Sequence, residues 1–488
     1  MKKNLGIVAA LAVTLLAALS LTGAALAQNT GNADFTRYVA VGDSLTAGFA
    51  SSGLHADVQA LSYPALIARQ AGAPDFQQPL AGAPGIPPLL AIQSLGPGAP
   101  VIVPRAAQPG PPLNLGLPRP YNNMAVPGFT VTDVVTTRTG NGIIDLVLRG
   151  LGTQLELAAV QQPTFASVWI GNNDVLGAAT SGIVIDGVTL TPAAQFESDY
   201  RQILGTLAAV GANMVVATIP SVTSIPFVTT LPPVVVDPAT SQPVILNGAP
   251  VPLIGPSGPL GPGDRVLLTA SGFLAQGFGI PAQLGGNGQP LPNEAVLDAD
   301  EVATIEARLA QYNDAIRRAA TDFGAALVPV NSIFSDIARN GYDAGGGIVY
   351  TTDFLTGGIF SYDGVHPTPF GYALVANEFI AAINASYGAS IPAVDLFPFI
   401  FGAEANAGAT IPSASSLTGA VFSQAAATQL FTALRITGES RQIDNRPRRP
   451  RRPRRPVGGD SPGDGDLNPV DPRGEVDFHP RGPGRIRP

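Results

Sequence analysis

The chain has 488 residues, among them 56 Gly and 47 Pro but no Cys, three His and one Trp. Without Cys there is no disulfide framework, no iron–sulfur or thiolate zinc site and no Cys nucleophile, and three scattered His disfavour a His-rich metal cluster. The net charge of −8 conceals an asymmetry: residues 441–488 hold 12 Arg against 7 acidic residues, which leaves −13 on the rest. An acidic body repels nucleic acid, so a DNA- or RNA-binding role is disfavoured.

Lys2 and Lys3 precede an apolar run from Leu5 to Leu21, and Ala25-Leu26-Ala27 stands before Gln28. This pattern predicts a secretory signal peptide over 1–27, hence an exported protein, periplasmic or extracellular. The run is short and Ala-rich for an uncleaved anchor, and no later run approaches the ~20 apolar residues of a membrane span.

Past the signal, Phe35–Val41 reads as a buried strand and Ser62–Ala71 as a helix with Pro64 in its first turn. Residues 72–118 read as a long Pro/Gly-dense loop. Asn123–Val126 is a short strand candidate closed by Pro127-Gly128, and Val131–Val135 starts a helical stretch. Helices are then expected over Leu151–Gln161, Phe196–Val210, Asp300–Phe323 and Pro369–Ala385, and strands over Phe165–Ile170, Asn213–Ile219 and Ala325–Val330. Strands alternating with helices imply an α/β fold with a parallel sheet covered on both faces. Two insertions, about 72–120 and 221–298, interrupt the alternation. The second is rich in Val, Ile and Pro, which suggests packing as a cap, with a wall or lid over the site as its sharper reading. Residues 391–440 form an Ala-rich extension. In the tail, 441–488, seven Arg and four Pro between Arg446 and Pro456 have nothing to bury, so disorder is expected.

The residues that carry chemistry follow strand ends, where open α/β sheets bind ligands. His55 lies in a Gly/Ser loop and His479 in the tail; His366, in Asp363-Gly364-Val365-His366-Pro367, has the setting of a base. Asp363 is placed to fix its tautomer, although Asp-x-x-His alone also suits a surface turn. Ser44, in Gly42-Asp43-Ser44-Leu45, stands at a strand-to-helix junction, a position for a nucleophile and equally for a helix cap. Gly128 can bring a backbone N–H close to a ligand or simply turn the chain. Asn173, in Gly171-Asn172-Asn173-Asp174, offers an amide to an oxyanion or to local backbone.

Taken jointly and in order, the blocks Gly42–Leu45, Asn123–Gly128, Gly171–Asp174 and Asp363–His366 resemble those of the SGNH (GDSL) hydrolase family, over about residues 35–385. The resemblance implies a three-layer flavodoxin-like hydrolase domain over 34–390 and a Ser44–His366–Asp363 triad. It also implies an oxyanion hole from the Ser44 N–H, the Gly128 N–H and the Asn173 side chain. It implies acyl transfer without cofactor or metal. The expected activity is that of an exported serine esterase or lipase acting on a small-molecule or lipid ester. The apolar second insertion favours acyl chains over the alternative, an O-acetylated carbohydrate. A non-catalytic surface-binding protein on the same scaffold is opposed by the intact Ser, His, Asp, Gly and Asn. For the Arg/Pro tail the competing readings are a solvated linker and a tether to an anionic surface.

Overall fold

The structure is a computed structural model that describes residues 29–93, 100–140, 142–401 and 420–436. The signal peptide expected over 1–27 and the tail expected over 441–488 lie outside the described residues.

In chain order, the elements that matter for the site begin with β1 (Tyr38–Gly42), the one-turn α1 (Ser44–Ala47) and α2 (Tyr63–Ala71). Two short strands follow, β2 (Leu90–Ile92) and β3 (Val101–Pro104), then α3 (Val131–Thr136) and α4 (Gln154–Val160). The middle of the fold comprises β4 (Phe165–Trp169), α5 (Asn173–Ser181), α6 (Ala193–Ala209) and β5 (Asn213–Ala217). The chain continues through α7 (Ala299–Asp322), β6 (Ala326–Val328), α8 (Val330–Asn340) and α9 (Pro369–Tyr387), and closes with β7 (Val421–Phe422) and α10 (Gln424–Ala433).

Strands β1, β4, β5 and β6 lie side by side in that order, all parallel. On the free side of β1 runs the Asn122–Val126 segment: Ala40 N–H donates to Asn122 O, Met124 N–H to Ala40 O and Val126 N–H to Gly42 O. Counted as the second strand, it gives the order 2-1-3-4-5, the flavodoxin-like winding. The α/β, parallel-sheet expectation therefore holds. The expected strands coincide with the observed ones to within a few residues, apart from Phe35–Arg37, which winds into a single 3₁₀ turn before β1.

Burial explains the three layers. Successive side chains of a strand face opposite sides. Val39, Val41, Ala166 and Val168 accordingly join one core, packed with residues of α3 to α7, while Tyr38, Phe165 and Trp169 join another with α2 and α9. Both cores are closed to water, and each Leu- or Phe-sized side chain so buried contributes about 1.5–3 kcal/mol. Helix starts follow the chain chemistry: Thr153 and Asp298 close capping boxes with Glu156 and Glu301 at the heads of α4 and α7, and Pro64 occupies the first turn of α2.

The insertions depart from the sequence reading. Residues 72–120 are not a plain loop: β2 and β3 pair antiparallel there, and β7, from the 391–440 extension, adds to β3 in parallel register, Val421 with Val101 and Phe422 with Ile102. Strands of two to four residues are too short to show a period amid Pro and Gly. The second insertion folds into two-residue ladders around a small core of its own, including Val235, Leu253, Val266, Leu291 and Val296.

Candidate active site

Gly42 ends β1 where no side chain fits: a Cβ there would lie 2.1 Å from Thr46 Oγ1 and 2.5 Å from the carbonyl oxygen of Trp169. Asp43 caps α1, its Oδ1 accepting the Leu45 N–H at 3.0 Å, so Ser44 is the first helical residue rather than the cap. The Asn172 amide donates to Asp43 Oδ2 at 2.8 Å and ties the ends of β1 and β4 together. Burial pushes the Asp43 carboxyl up to about 6, against the opposing hydrogen bonds from Asn172 and Leu45.

From the other end of the chain, the turn before α9 brings in Asp363 and His366. Ser44 Oγ lies 2.9 Å from His366 Nε2, and His366 Nδ1 lies 2.8 Å from Asp363 Oδ2. All three side chains are buried, and the Phe49 ring stands edge-on to the imidazole at 4.8 Å. Asp363 Oδ1 accepts from the backbone N–H of Val365 at 3.0 Å and of His366 at 2.9 Å, and from the Ser361 hydroxyl at 3.3 Å. Its Oδ2, besides the imidazole, takes the Ser52 N–H at 2.7 Å. Burial alone would raise this carboxyl; the imidazole and these donors outweigh it and hold Asp363 below its ordinary value.

Asn173 heads α5. Its side-chain amide donates one hydrogen to the Phe129 carbonyl at 2.9 Å, which sets it beside the Gly128–Phe129 turn and leaves the second amide hydrogen for another acceptor. Gly128 has φ +81°, open to glycine, and a Cβ there would meet the Ala433 carbonyl oxygen at 2.5 Å. The close approach at Gly128 is thus to the C-terminal segment. Asp174, beside Asn173, accepts from the Val131 N–H at 3.0 Å and the Thr191 hydroxyl at 2.6 Å; burial pushes it up to about 8.

The structure thus joins Ser44, His366 and Asp363 in one hydrogen-bonded chain and sets Gly128 and Asn173 together at the ends of the neighbouring strands. His55 stays apart: it caps a one-turn helix, accepting from the Asp57 N–H. His479 lies outside the described residues. Sequence reasoning missed Phe49, Ser52 and Ser361. None left a signal in the sequence; only the structure shows that Ser51 and Ser52 both take positive φ (+49° and +57°), uncommon for residues with a Cβ.

Next to the Ser44–His366–Asp363 hydrogen-bonded chain lies a small, mostly apolar cavity of about 40 Å³, lined by Leu45, Trp169, Ile225, Phe334 and Val365 among others. Leu45 and Val365 adjoin Ser44 and His366 in sequence. The second insertion reaches this cavity only through its first residues, Ser221, Ser224 and Ile225. No cluster of His and carboxylates suited to a metal occurs among the described residues.

Fold and site together give an α/β protein with a hydrogen-bonded Ser–His–Asp chain at the carboxyl edge of a parallel sheet. The chain belongs to the GDSL-like lipase/acylhydrolase family, whose model matches residues 38–379, and it is accordingly an ester hydrolase. No curated protein matches it. Among solved structures it is similar to LAE5, an alpha/beta hydrolase enzyme from the metagenome of Lake Arreo, at 16% identity over 72% of this chain and 96% of that one, with a TM-score of 0.33. It is similar also to a catalytic mutant of Axe2, an acetylxylan esterase from Geobacillus stearothermophilus, at 14% identity, 72% and 95% coverage and a TM-score of 0.32. The corresponding figures for TesA are 13%, 71% and 98%, and 0.30. At such scores no residue role passes from them to this chain.

Proposed function

We propose that this ester hydrolase works by two-step acyl transfer through Ser44, His366 and Asp363, and that acyl chains of lipid type are its preferred cargo. The observation that carries the reading is the continuous hydrogen-bonded path from Ser44 Oγ through His366 to Asp363. Ser44 Oγ attacks the ester carbonyl while His366 Nε2 takes its proton. The tetrahedral oxyanion faces the N–H groups of Ser44 and Gly128 and the free amide hydrogen of Asn173. His366 then returns the proton to the departing alkoxide oxygen, leaving the acyl group on Ser44, and a water molecule repeats the cycle to release the acid. Asp363, kept ionised, holds the proton on Nδ1 so that Nε2 is free to accept.

The preference for acyl chains rests on the cavity lined by Leu45, Ile225, Phe334 and Val365. Hydrocarbon gains about 0.8 kcal/mol per methylene removed from water. The assay is a p-nitrophenyl ester series from acetate upwards: kcat/KM should rise over the first few methylenes as the cavity fills. A maximum at acetate with a fall thereafter supports the O-acetyl esterase reading instead. Export rests on the Lys2-Lys3 segment, the apolar run and the Ala25-Leu26-Ala27 site. Reversible attachment to an anionic surface rests on the Arg/Pro run between Arg446 and Pro456.

A further inference from the structure

The family match ends at residue 379, yet the segment 420–436 is built into the neighbourhood of the site. Strand β7 sits on β3 of the first insertion, and the Phe422 N–H donates to Ser271 Oγ of the second at 2.9 Å. Phe422 and Phe431 both stand edge-on to Phe227. From α10, the Gln429 amide donates to two carbonyls, Ser52 O at 3.0 Å and Pro88 O at 2.7 Å. At the helix end, Arg435 pairs with Asp133 at 2.7 Å and lies over the Phe129 ring at 5.5 Å. Phe129 is the residue whose carbonyl takes the Asn173 amide.

The Ser52 contact is the informative one. The Ser52 N–H reaches Asp363 Oδ2, the same oxygen that faces His366 Nδ1. It does so from two successive residues at positive φ, a conformation that lasts only when the surroundings hold it. The Ser51 N–H is held by Ser361 Oγ at 2.8 Å, and the Ser52 carbonyl by Gln429. Among the described residues, Gln429 is thus the side chain that anchors the Ser52 carbonyl, while Ser52 orients the carboxylate.

We infer that Gln429 is a positioning residue for hydrolysis: by fixing the Ser52 carbonyl it aims the Ser52 N–H at Asp363, so the C-terminal segment completes a triad otherwise contained in the family region. This rests on the reading of Ser44, His366 and Asp363 as the catalytic triad. Without the clamp, Ser51–Ser52 relaxes and Asp363 loses a donor. Its charge is then less neutralised and the carboxylate is no longer aimed at His366 Nδ1.

The test uses the full chain. Gln429→Met keeps the length of the side chain without its donor, Gln429→Glu replaces the donor by an acceptor, and Gln429→Lys restores a donor. Met and Glu should lower kcat on p-nitrophenyl acetate by roughly tenfold with KM within about twofold, as expected of a displaced catalytic group. Lys should recover most of the lost kcat. If Gln429→Met does not fold, Gln429→Glu carries the comparison. In a Ser44→Ala background, the downfield proton resonance of the His366–Asp363 hydrogen bond should shift with Gln429→Met and return with Gln429→Lys. Unchanged kcat and resonance in a folded variant overturn the inference, even if the melting temperature falls. Full activity of Ser44→Ala would overturn the triad itself, a separate outcome.

Discussion

Asp363→Asn is the substitution whose consequences the structure fixes most tightly. The carboxylate is buried and surrounded by donors on both oxygens: Val365 N–H, His366 N–H and the Ser361 hydroxyl on one, Ser52 N–H and the imidazole on the other. An amide cannot accept on both sides. If its nitrogen faces the backbone pair, two N–H groups are left without an acceptor. If it faces His366, Nδ1 must become the acceptor, which puts the ring proton on Nε2 and removes the base from Ser44. The second orientation spares more backbone bonds, so kcat should fall by roughly 10⁴, about 5.4 kcal/mol in barrier. Stability should fall too, by about 1–3 kcal/mol for the Ser52 N–H left facing another donor. The pH dependence has a fixed sign. Asp363 has a lowered folded value, so the stability it contributes is present above the ordinary carboxylate range and is lost as pH falls below it. The gap in unfolding free energy between the native chain and the Asp363→Asn variant should therefore shrink below pH ~4. Stopped-flow hydrolysis of p-nitrophenyl acetate and urea melts at several pH values measure both. Retention of kcat within tenfold by a folded variant would refute the assignment of Asp363.

Asn173→Ala should lower kcat by about 10²–10³ with little change in KM, because the donor acts on the transition state; steady-state kinetics read this, and a change confined to KM would make Asn173 a substrate-binding residue. Deleting 441–488 should leave turnover of soluble esters unchanged and abolish salt-sensitive binding to anionic vesicles, and equal binding by both proteins in a vesicle sedimentation assay would reject the tether.

The sheet was legible because its strands are β-branched runs that end at Gly or Pro: Val39 to Gly42, Val215 to Pro220. The meeting of Ser44, His366 and Asp363 in one hydrogen-bonded chain was legible because Asp363 and His366 share one turn, and Ser44 begins a helix directly after a strand. Helix α8 was not, although Val330, Ile333, Phe334 and Ile337 recur at helical spacing. Nor was the support of Asp363. Ser52 and Gln429 are ordinary residues in sequence, and they meet only because β7 pairs with β3 across more than 300 residues. The apolar residues of the second insertion divide between a small core of their own and the main core, and Ile225 and Phe227 reach the cavity and the Gly364 carbonyl, respectively.

On the proposed mechanism, Ser44 carries the acyl group. The full chain treated with a fluorophosphonate, and separately acid-quenched during turnover of a p-nitrophenyl ester, should yield by peptide mass spectrometry one adduct on the peptide containing Ser44, absent from Ser44→Ala and from heat-unfolded protein. An adduct on a different residue, or undiminished ester hydrolysis by Ser44→Ala, would contradict the account.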